Sequence, residues 1–534
     1  MQTLSLSNFT VDVLAFSAIM FVVVIGLVVL AVVYMYWVDV NQKSHAVRRN
    51  YPVIGRFRYY FEYLGEFFRQ YFFAQDREEL PFNRAQRTWV YRAAKNLDST
   101  VAFGSTRPLD RPGDVIFLNC LFPTIAEDHV PPAPVVIGDG YARVPYAAPS
   151  FFNISGMSYG ALSEPAVRAL SSGAAKAGIW LNTGEGGLSS FHLEGGCDIV
   201  FQLGTAKYGV QNNEGGLSEE KLLKIAAYDQ VKMFEIKLSQ GAKPGKGGML
   251  PGKKVTPEVA KARDIPVGQD SMSPNGHRDI RSLDDLLNML HKIRSLTGKP
   301  VGFKLVLGSS EWLSELCELI HQRGKEYAPD FITLDSADGG TGAAPQSLMD
   351  YMGLPIAASL PVVCDKLVEF GLKQRIKVIV SGKLINPGKV AWALAMGADF
   401  VVSGRGFLFS LGCIQALQCN KNTCPTGITT HDKDLQRGLD PTLKSERVKH
   451  YAQTLIKEVG VLAHSCGAVD PRGLNRSHVH IINETGLPEP VTDLYPNAKP
   501  HAQYLAPNES AVNNVSGESS DKISEKVSDK YRVN

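Results

Sequence analysis

Between Phe151 and Ser403 the chain carries eight short runs of β-branched and aromatic residues, each separated from the next by a longer stretch with helical spacing. The runs are FFNIS at Phe151, IWLNT at Ile179, IVFQL at Ile199, MFEIKL at Met233, VGFKLVL at Val301, FITLD at Phe331, IKVIVS at Ile376 and DFVVS at Asp399. Strands that alternate with crossover helices pair in parallel, and eight such units favour a closed barrel over an open sheet. The spacing therefore predicts an α/β fold, a (β/α)8 TIM barrel over residues 141–480. In such barrels the chemistry sits on the loops after the strands, with phosphate commonly held after the seventh and eighth. Those loops read Ser381-Gly382-Lys383 and Ser403-Gly404-Arg405. Small residues let backbone N–H groups approach an anion, and Lys or Arg adds charge. Ordinary turn chemistry accounts for either tripeptide alone, whereas both at the expected strand ends point to a phosphate site.

The N-terminus obeys different rules. From Val13 to Val38 no residue is charged, and the run exceeds the roughly 20 residues that cross a ~30 Å hydrocarbon core. A transmembrane helix over 13–38 is expected, with residues 1–12 outside the cytoplasm. Tyr34, Tyr36 and Trp37 lie where amphipathic rings favour the interface, and Lys43, Arg48, Arg49, Arg56 and Arg58 follow the span while no Lys or Arg precedes it. The positive-inside rule then puts the catalytic domain in the cytoplasm, on a single-pass membrane protein. A cleaved signal peptide fits less well, because the basic n-region and the cleavage site are missing.

Residues 39–140 are read as a mostly helical extension. Its segment RYYFEYLGEFFRQYFF has the spacing of an amphipathic helix lying near the membrane or on the next domain. Residues 481–534 form a C-terminal extension that is polar, Ser-rich and expected to be disordered after about residue 505. The net charge of +3, with 56 basic residues spread along the chain, gives no block suited to nucleic acid.

Eight cysteines in 534 residues are too few for a disulfide scaffold, and three of them crowd into Cys413-x5-Cys419-x4-Cys424-Pro425. Thiolates bind soft metals, and the spacing suits an iron–sulfur cluster. Zinc, with His431 as fourth ligand, and three unligated thiols remain alternatives. Three ligands in place of four imply a 3Fe–4S cluster.

The segment GCIQALQCNKNTCPTGITT at Gly412 resembles the cluster segment of glutamate synthases. Five further segments resemble the same family in the same order: ISGMSYGALSEPA at Ile154, NTGEGG at Asn182, KLSQGAKPGKGGMLPGKKVTPEVAKAR at Lys237, SPNGHRDI at Ser273 and DSADGGTGAAP at Asp335. The likeness covers the FMN and cluster portion, about 151–430, and RRNYPVIGRFRYYFE resembles the N-terminal region of stand-alone, membrane-anchored members.

The resemblance implies an FMN site in which Ser155, Met157 and Ser158 line the ring and Lys304 supplies a cation. Gly339, Gly340, Gly382 and Arg405, with Ser403 and Gly404 of the strand-end loop, would hold the ring, ribityl chain or phosphate. Lys304 could instead be a structural ion-pair partner, but a lysine inside VGFKLVL points its charge into the barrel mouth. The resemblance also implies 2-iminoglutarate as substrate, with Lys243 and Arg263 as cationic clamps, Gln240 as a neighbouring amide and Glu185 near the imine. The family has Gln within GEGGQLPG, whereas this chain has Met249 and Lys246 in GKGGMLPG, which puts 2-oxoglutarate itself in question.

No N-terminal glutaminase cysteine is present, and no G-x-G-x-x-G follows a predicted strand. NAD(P)H binding is therefore not expected. Electrons should come from a partner such as ferredoxin or a reductase subunit, and the amine from solution or another subunit. Rival readings are an N-methylglutamate-type synthase, a 2-hydroxy-acid dehydrogenase, whose His–Gly–Gly–Arg motif is missing from DSADGGTGA, and a non-catalytic membrane redox relay. Lys243, Arg263 and Glu185 argue against the relay, which needs no dicarboxylate pocket.

Overall fold

The computed structural model describes residues 2–98 and 100–504, so the tail after about residue 505 lies outside the described residues. The chain forms two compact units, residues 1–86 and a second that begins at Arg87. In the first, the helix Gln2–Asn41 contains the stretch Phe9–Asn41, long and apolar enough to cross a bilayer. Shorter helices follow at Ala46–Asn50 and Gly55–Phe68, the latter continued by a π-helical turn at Arg69–Phe73.

The second unit is built on a closed barrel of eight parallel strands in sequence order. They are β1 (Phe152–Ile154), β2 (Leu181–Asn182), β3 (Ile199–Leu203), β4 (Val231–Lys237), β5 (Val301–Leu305), β6 (Phe331–Asp335), β7 (Lys377–Ser381) and β8 (Phe400–Ser403). All eight expected runs are barrel strands. Closure comes from β8 pairing with β1 in the register Val401 opposite Phe152 and Ser403 opposite Ile154. Side chains alternate across each strand, so every second residue enters the barrel. Trp180, Val200, Met233, Phe331, Ile379, Phe400 and Val402 fill its interior together with Ile137, Tyr146 and Ala148. Those three come from an antiparallel hairpin, Val135–Ile137 with Tyr146–Ala148, that precedes the barrel in sequence.

The helix after β1, Glu164–Ala177, starts at Ser163, whose hydroxyl accepts from the Ala166 N–H. It has Pro165 in its first turn and stops at Gly178, which is left-handed at φ 66°. It packs on the long helix Pro441–Ser465, and Gly173 permits the approach, because a Cβ there would lie 2.5 Å from Val448 Cβ. Ser163→Ala should cost about 1 kcal/mol of stability, read as a lowered midpoint in chemical denaturation of the solubilised chain.

Candidate active site

The end of β4 is the centre of the site. Glu235 and Lys237 are two residues apart, so both side chains enter the barrel. Glu235 is buried and accepts from Asn182 Nδ2 at 2.8 Å, Gln202 Nε2 at 2.6 Å and Thr333 Oγ1 at 2.5 Å, donors from β2, β3 and β6. Above this layer Lys237 stands opposite Lys304 in the β4–β5 register. Lys237 Nζ lies 2.9 Å from Glu185 Oε2, and Lys243 Nζ lies 3.5 Å from Glu185 Oε1. Gln240 accepts from Lys237. Burial pushes the Glu185 carboxyl up, but the ammonium groups of Lys237 and Lys243 outweigh it and hold it down at about 2. Burial lowers the pKa of Lys237, against the pull of Glu185.

Glu185 is delivered by the turn after β2, and Lys243 by the loop after β4. That loop needs Gly241, since a Cβ there would fall 1.7 Å from the Ser336 carbonyl oxygen. Arg263 ends the helix Pro257–Arg263 and is buried. Its guanidinium lies over the Tyr208 ring at 4.9 Å and donates to Ser271 Oγ at 3.3 Å, while its Nε has no partner. A buried guanidinium with an unspent N–H is suited to a carboxylate. His277, buried beside the site, bonds Lys237 O through Nε2 at 2.9 Å and so braces the end of β4.

Lys304 is buried in the barrel mouth with its Nζ 3.4 Å from Asp335 Oδ2. Burial depresses its pKa, but Asp335 and then Glu235 more than compensate, so the net shift is upward and the ammonium persists. The lysine is thus both an ion-pair partner and, with Ser155, Glu235 and Thr333, part of the wall of a ≈ 10 Å³ cavity. Around the mouth, Ser155 N donates to Ser403 O at 3.1 Å and Met157 N to Asn182 O at 3.0 Å. Ser158 sits against Gly184 and Gly186. After β6, Gly340 leaves room for Arg405: a Cβ there would lie 2.9 Å from Arg405 Nη1. Arg405 Nη2 donates to Asp338 O at 3.2 Å, and Lys383 Nζ lies 3.1 Å from Asp338 Oδ2. Gly339, Gly382 and Gly404 complete this rim after β6, β7 and β8. The two tripeptides and the DGG loop therefore bring two cations and glycine backbone to one side of the mouth, a donor set that fits the phosphate and chain of a flavin nucleotide.

The cysteine segment follows the helix Arg405–Leu411. Cys413 Sγ accepts from Gln415 N at 3.4 Å, and the Cys413 carbonyl accepts from Tyr91 OH at 2.6 Å. Burial pushes the Cys413 thiol up to about 12 and also raises Cys419. Burial acts the same way on Cys424, but the Thr426 and Thr429 hydroxyls and backbone groups outweigh it and lower that thiol. Lys254, buried, donates to Cys419 O at 2.9 Å and Thr429 O at 2.7 Å, which ties the loop after β4 to the cysteine loop. Among the described residues, no three His, Cys, Asp or Glu side chains gather tightly enough for a single metal ion. His431 Nε2 lies 2.9 Å from Gly160 O and its ring meets Tyr159. Cys413, Cys419 and Cys424 all lie on the one loop that follows the helix Arg405–Leu411.

The structure thus draws Glu185, Gln240, Lys243 and Arg263 together, sets Lys304 beside them and gathers the expected flavin residues round the mouth. Lys237, Glu235, Asp335 and Lys254 were not singled out from the sequence. FEIKL carries the same signal as VGFKLVL, a charge inside an apolar strand, and would have identified the first two. Met249 is different: it lies in a two-residue strand paired with Met272 and is 55% exposed.

The glutamate synthase conserved region, as a sequence family, matches residues 136–469. The glutamate synthase large subunit-like protein YerD of Bacillus subtilis is 40% identical over 504 residues, 87% of this chain and 95% of YerD. The archaeal-type glutamate synthase (NADPH) of Dehalococcoides mccartyi is 33% identical over 327 residues, and the archaeal glutamate synthase (NADPH) of Methanocaldococcus jannaschii 34% over 316. The alignments take in 61% and 59% of this chain and only 62% and 58% of those two relatives. The family match runs through all eight strands and the cysteine loop, and the chain belongs to the glutamate synthase family.

Proposed function

We propose that this chain is a glutamate-synthase-type oxidoreductase of the CH–NH2 class, reducing 2-iminoglutarate, formed from 2-oxoglutarate and an amine, to glutamate. The observation that carries this reading is the Glu185 carboxylate, held ionised between Lys237 and Lys243 within reach of the field of Arg263. FMN, when bound, supplies hydride chemistry, and a 3Fe–4S cluster on Cys413, Cys419 and Cys424 supplies single electrons. Lys243 and the unspent Nε of Arg263 receive the substrate carboxylates. Glu185, beside the substrate nitrogen, favours the protonated imine, which is the better hydride acceptor. Lys237 keeps Glu185 ionised, and Gln240 orients Lys237. Lys304 and Asp335 set a fixed cation at the floor of the flavin site, while Arg405 and Lys383 take the phosphate side. The basic residues after the Phe9–Asn41 helix support, by the positive-inside rule, a cytoplasmic catalytic unit that takes electrons from a ferredoxin-like or reductase partner.

Anaerobic purification should yield about one FMN and about three iron atoms per chain. A screen of 2-oxo acids with ammonia and a reduced artificial donor should show 2-oxoglutarate-dependent oxidation of the donor with formation of glutamate. Stoichiometric zinc without iron, or no 2-oxo acid dependence, would sink the reading. The exposure of Met249 changes what its substitution should do. A half-solvated amide gains only about 0.5–1.5 kcal/mol from a hydrogen bond, so Met249→Gln should alter 2-oxoglutarate KM by at most about tenfold. A larger gain would restore Met249 as a residue that redirects specificity.

A further inference from the structure

The first unit presents an aromatic face that no described residue of that unit covers. Along the helix Gly55–Phe68 and its continuation to Phe73, the positions Phe57, Tyr60, Phe61, Leu64, Phe68 and Phe72 follow the spacing i, i+3, i+4, i+7, i+11, i+15, which is one face of a helix. Phe57 is 56% exposed, Phe61 63% and Phe72 74%. The rings meet one another, with Phe57 and Phe61 centroids 6.3 Å apart and Phe68 and Phe72 5.5 Å apart. Arg58, Glu62 and Arg69 form a charged flank beside the stripe, and Tyr63, 62% exposed, lies beyond it. An exposed apolar stripe of this length marks an interaction surface.

A second observation ties this helix to the apolar one. Asp39, in the last turn of the helix Gln2–Asn41, is fully buried and is held by Arg48 Nη2 at 2.7 Å, Arg56 Nε at 2.8 Å and Val53 N at 3.0 Å. Arg56, in the first turn of the aromatic helix, and Arg48, in the short helix Ala46–Asn50, close on one carboxylate and hold that turn against the end of the apolar helix, just past Tyr34, Tyr36 and Trp37. A charged cluster of this kind belongs in the headgroup layer, not in hydrocarbon. The aromatic helix therefore begins at headgroup depth, and Arg49, Arg58 and Arg69 are exposed there to attract anionic lipid.

We propose that the segment Gly55–Phe73 is an interfacial helix seated on an anionic bilayer surface, with its aromatic stripe at the acyl boundary and the Asp39–Arg48–Arg56 cluster as the bracket that sets its depth. The proposal rests on Phe9–Asn41 crossing that bilayer, and it adds a second, in-plane anchor to the span.

The test uses the full chain in vesicles of phosphatidylcholine and phosphatidylglycerol, with part of the phosphatidylcholine brominated in its acyl chains. Fluorescence of Phe61→Trp and Phe72→Trp, taken as the difference from the unsubstituted protein, should be quenched by bromine at least about twofold more than that of Glu62→Trp. Adding Asp39→Asn to Phe61→Trp should reduce that quenching, and so should replacing phosphatidylglycerol by neutral lipid. Equal quenching on the two faces, or a Phe61→Trp signal shielded from both bromine and aqueous acrylamide, would overturn the proposal, the latter because the stripe would then be packed on protein. Quenching of Trp37, read as the difference between the unsubstituted protein and Trp37→Phe because the chain has five tryptophans, reports the span separately. If Trp37 is unquenched and the protein washes off at alkaline pH, the span itself has failed.

Discussion

Lys237→Met is expected to lower kcat/KM for the 2-oxo acid by roughly 100- to 1,000-fold. The substitution keeps much of the side-chain volume and removes the ammonium 2.9 Å from Glu185, whose side chain is 22% exposed. Without its neighbour the carboxylate is less fully ionised at the substrate nitrogen, and a positioned acid–base group contributes about 100- to 10,000-fold. Lys243 at 3.5 Å still supports Glu185, which puts this case in the lower part of that range. The pH dependence separates this cause from a packing defect. In the native site the Glu185 carboxyl sits at about 2, below its ordinary 4.5, so its stabilising contribution is complete above about 4.5 and is lost only as pH falls towards 2. Glu185 therefore contributes no limb to the native pH–rate profile above pH 4.5. Without Lys237 the carboxyl must rise, and a new acidic limb should appear in the variant. Lys237→Arg, which retains the charge, should recover part of the activity and remove the limb. A loss below tenfold with an unchanged profile would mean that Lys243 alone holds Glu185.

Cys419→Ser should abolish the iron signal while leaving the flavin bound. A serine hydroxyl is a hard and weakly acidic donor, poorly matched to iron that thiolates hold. The change is nearly isosteric, so the bonds that fasten the loop through the Cys419 carbonyl to Lys254 should survive. Flavin content should stay near the native value because its expected contacts, Ser155, Lys304, Gly340 and Arg405, belong to the barrel mouth. Iron analysis and low-temperature electron paramagnetic resonance read the first effect, and the flavin absorbance the second. Cys197→Ser, a buried thiol beside Ser171 and away from the loop, is the control and should keep its iron. Iron retained in Cys419→Ser, or lost equally in Cys197→Ser, would remove the cysteine loop as the cluster site.

What was legible in the sequence is what depends on neighbours along the chain. Short β-branched and aromatic runs separated by helical spacing specify strands and crossovers, and eight of them leave few topologies other than the barrel. The 13–38 run is equally local. Lys304 could be placed because a charge inside VGFKLVL must point into the mouth. Glu235 and Lys237 obey the same rule, but which donors and carboxylates they meet is decided by barrel closure, which brings Asn182, Gln202 and Thr333 round one carboxylate and sets Lys237 opposite Lys304. The ionisation of Glu185 is a balance between burial and two lysines from separate parts of the chain, so no stretch of sequence contains it. The same holds for Lys254, which joins two loops 165 residues apart through the Cys419 carbonyl, and for Met249, which the hairpin with Met272 turns towards solvent. Local periodicity selects the elements; register, closure and burial decide which charges face one another, because electrostatic and packing energies depend on distance in space and not along the chain.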